Sequence, residues 1–269
     1  MKNHSYLPKI KFTAVSALLA WWLWPACLAL AQTESSATVA SKPASASDPA
    51  SKAKARNGLP PGIAKPPAPF EGHGWESLFN GRDLTGWRKT DFAGSGDVKV
   101  RAGVVLLNMG DPFTGINYTN EFPKMNYEVA LDAMRIMGTD FFCGLTVPVG
   151  NSYCSLIVGG WGGALVGISS LDDMDASENA TTTFHRFEKG RWYRIRLRIT
   201  AGRIEAWIDK EKVVDVVTTG TKISLRPGDI ELSKPFGIAS WETGAALREI
   251  KMRRVDKPSC PPPKSAYLK

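Results

Sequence analysis

The chain has 269 residues, 43% hydrophobic and 22% charged, which suits one domain or two of ordinary globular composition. Its formal net charge is +8, but eight basic and two acidic residues fall within 1–70, leaving 26 basic and 24 acidic residues over 71–269. A body so close to neutral has no electrostatic footprint for DNA or RNA, so nucleic acid is excluded as a partner.

In chain order the first element is a leader. Lys2, Lys9 and Lys11 precede the apolar run "FTAVSALLAWWLWPACLALA", and Ala29-Leu30-Ala31 offers a small-x-small cleavage site before Gln32. This predicts an export signal over 1–31. The run is also long enough to stay as a membrane anchor. Pro25-Ala26-Cys27 is similar to a lipoprotein cleavage site, although Trp24 stands where a small aliphatic residue is expected. In each case the expected location is exported (periplasmic, cell-surface or extracellular), with membrane contact only through an uncleaved leader. Residues 32–69 are rich in Ala, Ser, Pro and Lys with almost no bulky apolar residue, the composition of a disordered tether. A folded domain is expected over 70–256, followed by a disordered tail over 257–269 that carries Cys260.

The domain opens on "LFNGRDLTGW" (78–87). Asn80-Gly81 suits a tight turn, and Asp83 can hydrogen-bond the next bend, so the stretch reads as a corner filled by Phe79, Leu84 and Trp87. From there the pattern is β throughout. Short runs such as "VKVRAGVVLL", "YEVALDAMRI", "SYCSLIV", "WYRIRLRIT" and "KVVDVV" are separated by Gly, Pro, Asn and Asp. No window sustains helical periodicity. Many short strands at this spacing predict an all-β, two-sheet antiparallel sandwich. One hairpin can be set in register. If Ala201-Gly202 is its turn, Arg198 faces Glu205, Arg196 faces Trp207 and Arg194 faces Asp209, which makes the arginine stripe structural rather than anion-binding. Cys143 and Cys154 flank a second turn near 148–151. Centred between Pro148 and Val149, it would bring the two sulfurs opposite each other as a disulfide; the other reading is two buried thiols.

Three segments carry a resemblance. "GWESLFNGRDLTGW" (74–87), "KGRWYRIRLRITAGRIEAWIDKEKVVDV" (189–216) and "PFGIASWETGAALREIKMRRV" (235–255) resemble the 3-keto-disaccharide hydrolase domain family. The resemblance implies an exported, concanavalin A-like jelly roll that acts on carbohydrate. It also implies a chemistry: a C3 ketone acidifies the C2 proton, a base abstracts it, the C1 substituent leaves, and water adds. Such a reaction needs a general base, a donor or metal for the enolate oxygen, and aromatic faces for the sugar. The family's Asn-Ser-Gly run leading to an Arg, and its aromatic-Glu-x-Gln segment, correspond here to "TDFFCGLTVP" and "SYCSLIVGGWGG". These stretches contain no such Arg, and no Glu or Gln stands near Tyr153-Cys154-Ser155. A non-catalytic glycan-binding module and a structural or protein-binding display domain are therefore the alternative expectations.

The candidate site residues fall in and around 161–192. His185, Glu188 and Asp172 are the acid/base candidates, although on one strand positions three apart lie on opposite faces. Asp172, Asp173, Asp175 and Glu178 are hard oxygen donors that a loop could converge on Ca²⁺; the other reading is an acidic surface loop. "VGGWGGALVG" displays Trp161 on a glycine-rich turn, and Trp241 is a second aromatic wall, with Glu242 and Arg191 as further substrate contacts. Asn117 and Asn179 begin glycosylation sequons.

Overall fold

The computed structural model describes residues 59–60 and 62–255. The leader, the linker up to 58, and the tail with Cys260 lie outside the described residues. In chain order the strands are β1 (Glu76–Ser77), β2 (Trp87–Lys89), β3 (Val98–Arg101), β4 (Val104–Leu107), β5 (Phe113–Tyr118), β6 (Tyr127–Gly138), β7 (Cys143–Val149) and β8 (Ser152–Gly160). They continue as β9 (Leu165–Ser169), β10 (Thr183–Phe184), β11 (Trp192–Thr200), β12 (Arg203–Ile208), β13 (Glu211–Val217), β14 (Gly237–Trp241) and β15 (Thr243–Arg254). One sheet runs β13-β12-β11-β6-β15-β4-β3, with β1 alongside β15, and the other runs β10-β9-β8-β7-β14-β5-β2. All pairings are antiparallel. This is the two-sheet, concanavalin A-like jelly roll.

Period-two alternation decides which face is inside. On β11, Tyr193, Ile195, Leu197 and Ile199 are buried against the facing sheet, while Arg194, Arg196 and Arg198 point outward. On β8, Cys154, Leu156 and Val158 point inward, which leaves Ser155 and Ile157 on the outer face. The β11–β12 register matches the spacing argument: Arg198 lies opposite Glu205, and Arg196 lies opposite Trp207 with its guanidinium 4.5 Å from the ring centroid. The third expected pair is different. Asp209 accepts a hydrogen bond from the Arg194 backbone N–H at 2.9 Å and pairs with Arg191 at 3.0 Å. The Arg194 guanidinium turns instead to the buried Asp132, which faces it from β6.

The expected disulfide is absent. The turn falls at Gly150 and Asn151, where Gly150 takes φ 63°, so Cys143 lies opposite Val158 and Cys154 opposite Val147. Both thiols are free and fully buried in the core. Burial pushes each up to about 12. A thiolate is the reactive form, so neither cysteine should be alkylated by iodoacetamide at neutral pH in the native protein, and both should be alkylated in denaturant. Peptide mass spectrometry checks this, and native labelling at Cys143 or Cys154 would contradict the burial.

The folded unit also takes in 62–69, which composition assigns to the linker. Ile63 packs with Val104, Met134 and Ala246 on the outer face of the first sheet. The Trp192 indole N–H donates to Gly62 O at 2.9 Å, and Arg194 Nη2 donates to Ala68 O at 2.8 Å. Arg194 also lies 3.7 Å over the Phe70 ring. The segment has few apolar residues of its own, so its order depends on arginines and aromatics far away in sequence.

"LFNGRDLTGW" is the corner its residues suggest. Asn80 Oδ1 accepts from the backbone N–H groups of Arg82 and Asp83, at 2.7 and 3.1 Å. Asp83 Oδ1 accepts from Asn80 Nδ2 at 2.8 Å and from the Thr85 backbone N–H at 2.9 Å. Hydrogen bonds from Thr85 and Asn80 hold the Asp83 carboxyl down at about 2. Phe79 and Trp87 are buried, and the Trp87 indole donates to Leu78 O at 2.7 Å. The low pKa of Asp83 therefore reflects a turn, not catalysis.

Candidate functional site

The outer face of the second sheet is paved with small residues: Gly115 on β5, Gly144 on β7, Gly167 on β9 and Ala239 on β14. Gly167 lets one of two covering loop segments lie directly on its strand; a Cβ there would stand 2.8 Å from Ala176 O. Ala176 from one segment and Ile230 from the other join Phe92, Phe113, Phe141, Ile157, Leu165 and Ala239 in a second small core. Asn179 ties the first segment down, because its Nδ2 donates to the carbonyls of Ile168, Met174 and Asp175. Asn117 does the same for the second through Leu232 O and Lys234 O. Both asparagines are buried, so these sequons serve packing.

Between the two segments and the strand ends lies a cleft of about 270 Å³. Its floor is Ser155, Ile157 and Ser169, and its walls include Phe113, Phe141, Trp161 and Trp241. Trp241 meets Phe113 edge-on at 4.6 Å, and Phe113 stacks on Phe92 at 4.7 Å. The Trp241 backbone N–H donates to Phe141 O at 3.0 Å, which fixes that wall. Trp161 stands opposite in character: it is 44% exposed and sits at φ 47° in the β8–β9 turn. At the rim, Arg226 Nη1 lies 2.7 Å from Asp175 Oδ2, joining the two covering segments, and Asp229 lines the same cleft. An adjoining recess adds Asp140 beside Trp161, Arg226 and Trp241.

Of the residues expected from sequence, Trp161, Trp241 and Asp175 come together here. The others do not line the cleft. His185 Nδ1 faces Glu211 Oε2 at 3.4 Å, and its ring packs on Phe187 with centroids 4.8 Å apart, so its acidic neighbour is not Glu188. Glu188 is exposed, and its backbone N–H donates to the Tyr193 hydroxyl. Arg191 pairs with Asp209 and lies over Tyr193. Glu242 is exposed, and its backbone N–H donates to Pro112 O. Asp172 and Asp173 are both engaged by Lys222, through its backbone N–H and its ammonium respectively, while Asp175 is engaged by Arg226. The acidic loop is thus satisfied by cations of the second covering segment. Among the described residues no group of three or more His, Cys, Asp or Glu could hold a metal, and of the expected Ca²⁺ donors Asp172, Asp173, Asp175 and Glu178 the first three already have Lys222 or Arg226 as partners.

Sequence reasoning missed Arg226, Asp229, Phe113 and Phe141. Phe113 lies on β5 and Phe141 just before β7, and nothing local in the sequence marks either as a cleft wall. "LRPGDI" (225–230) carried a turn signal but nothing to show that it folds back over the sheet.

The two-sheet jelly roll carries a tryptophan-walled cleft on one outer face, and its family match makes it a carbohydrate-active or carbohydrate-binding domain. The chain belongs to the 3-keto-alpha-glucoside-1,2-lyase-like domain family, whose model matches residues 74–253. Among solved structures, a Parabacteroides distasonis protein provisionally classed as a glycosyl hydrolase is similar at 17% identity and TM-score 0.45, covering 68% of this chain and 95% of that one. The Bacillus subtilis carbohydrate-binding module CBM66 is similar at 15% identity and TM-score 0.45, over 64% of this chain and 97% of that one. A Bacillus licheniformis beta-glucanase is similar at 8% identity and TM-score 0.46, over 70% and 100%. No curated protein sequence matches the chain.

Proposed function

We propose that the cleft between Trp161 and Trp241 binds a neutral glycan. The observation that carries this reading is the convergence of two indoles and the Arg226–Asp175 pair on one cleft. Sugar rings present apolar C–H faces that stack on indoles, and their hydroxyls take hydrogen bonds from a few fixed polar groups. The volume suits roughly one or two sugar rings. Asp140, Asp175 and Asp229 outnumber Arg226, so the cleft disfavours an anionic sugar. Isothermal titration with neutral and uronic-acid oligosaccharides tests this. Neutral ligands should bind, and uronates about tenfold more weakly, near the 1.4 kcal/mol expected of one unpaired like-charge contact. Equal or stronger binding of the uronates would refute the charge argument, and no binding of any glycan would refute the reading.

Family membership supports a second reading, elimination from a 3-keto-glycoside. Asp229 is exposed in the same cleft as Arg226, so a carboxylate and a guanidinium face the same volume. Asp229 would take the C2 proton, and the C2–H electrons would form the C2=C3 bond of an enolate whose C3 oxygen Arg226 would hold. Collapse of the enolate would restore the C3 ketone, form the C1=C2 bond and break the C1–O bond, the departing oxygen taking the proton from Asp229 before water adds across C1=C2. NMR of a 3-keto-disaccharide incubated with the protein decides it: turnover lost in Asp229→Asn supports this reading, and no turnover by the native protein leaves a binding module. Export belongs to the same proposal, supported by the leader's pattern, and fractionation of cells expressing the full chain tests it.

A further inference from the structure

Arg135 sits near the end of β6 and points inward, between the sheets, at 4% exposure. Among the described residues no carboxylate lies within ion-pair distance of it. Its Nη2 donates to Gly159 O at 3.0 Å and to Gly163 O at 2.9 Å, the two ends of the turn that carries Trp161. The guanidinium lies 5.1 Å from the Phe142 centroid and 5.8 Å from that of Phe187, and Nε has no partner. Burial lowers its pKa from the usual arginine value. Asp140 and Tyr193 act on it only through longer-range charge. A buried cation bonded by carbonyls and rings, without a contact ion pair, is an expensive feature, and an apolar side chain of similar volume is generally no less stable in such a place.

The glycines of "GGWGG" show what the arginine does. A Cβ at Gly159 would stand 2.4 Å from Arg135 Nη2, and one at Gly163 would stand 3.1 Å from Nη1 and 2.9 Å from Thr139 O. Both glycines also have positive φ, 81° and 107°. The turn is shaped around the guanidinium, and Trp161 itself is held at φ 47° at the apex. One side chain from the first sheet thus fixes both feet of a turn of the second.

From this geometry we infer that Arg135 is a positioning residue that holds the Trp161 turn in its ligand-ready form. The inference rests on the glycan-binding reading of the cleft, but its first measurement does not. In the ligand-free protein, Arg135→Lys and Arg135→Met should speed hydrogen exchange over 159–165 by roughly tenfold and leave the core strands unchanged. Arg135→Met keeps the stem volume and removes the buried charge, so it should fold at least as well. In titrations, either variant should weaken binding of the neutral oligosaccharide about as much as Trp161→Ala. Combined with Trp161→Ala, neither should weaken it further. Unchanged exchange in the turn, unchanged affinity, or losses that add in the double variants would each overturn the role. If the native protein binds no glycan, the cleft reading fails, and exchange alone still decides whether Arg135 braces the turn.

Discussion

Trp161→Ala should weaken binding of a neutral oligosaccharide by roughly thirtyfold while leaving the melting temperature nearly unchanged. A tryptophan at the centre of a binding surface typically carries about 2 kcal/mol, and that difference is about thirtyfold in Kd. Trp161 contributes little to folding. It is 44% exposed on a turn and belongs to none of the buried clusters. Loss of an exposed side chain away from the core costs within about 0.5 kcal/mol of stability. Trp241→Ala should behave differently, because Trp241 packs on Phe113 and Phe141 within the second core. It should lose affinity and stability together. Paired titration and thermal melts read both quantities, and an unaltered Kd in Trp161→Ala would remove that residue from the site.

The architecture was legible because strand alternation is local. The pattern in "WYRIRLRITAGRIEAWID" fixes which side chains face inward and sets a hairpin register that the fold keeps at Arg198–Glu205 and Arg196–Trp207. Displacement of a turn by a residue or two is enough to undo a pairing, and that is how the Cys143–Cys154 bridge was lost. Half of the cleft was legible for a similar reason: a tryptophan among glycines announces an exposed ring. What escaped depends on long-range folding. Arg226 comes beside Asp175 only because two segments about fifty residues apart fold over the same sheet face. The acidic run 172–178 looks like a cation site in sequence, yet Lys222 and Arg226, about fifty positions later, already satisfy three of its carboxylates. His185 and Glu188 are close in sequence, but the imidazole faces Glu211 while the Glu188 residue is exposed. Order over 62–69 was illegible because its partners, Trp192, Arg194 and Arg248, lie more than a hundred residues away.

Glu128→Gln should be the most destabilising single change on the outer face of the first sheet. Glu128 is completely buried, although it points away from the main core. Its Oε2 accepts from Arg253 Nη2 at 2.8 Å and from Arg198 Nη2 at 3.0 Å, and its Oε1 accepts from Arg196 Nη1 at 3.1 Å. The register enforces this, since Arg198 on β11 and Arg253 on β15 are its cross-strand partners on either side. Trp207 and Trp75 cover the same guanidinium groups. Removing the one carboxylate leaves three neighbouring cations without their common counter-charge, and breaking a buried pair of this kind costs about 3–5 kcal/mol. For a domain of this size that is a fall in Tm of roughly 10 °C. Burial raises the carboxyl's pKa, but hydrogen bonds and charge from Arg253 and Arg198 outweigh it, so the folded value lies below the ordinary one. A carboxyl depressed on folding stabilises above its unfolded pKa and loses that contribution as pH falls through the folded value. Acid titration of the melting temperature should therefore show a steep decline below the ordinary glutamate range in the native protein. In Glu128→Gln the curve should start lower and fall less. Parallel curves, or a loss under about 1 kcal/mol at neutral pH, would mean that the three arginines find other partners and that Glu128 is not their keystone.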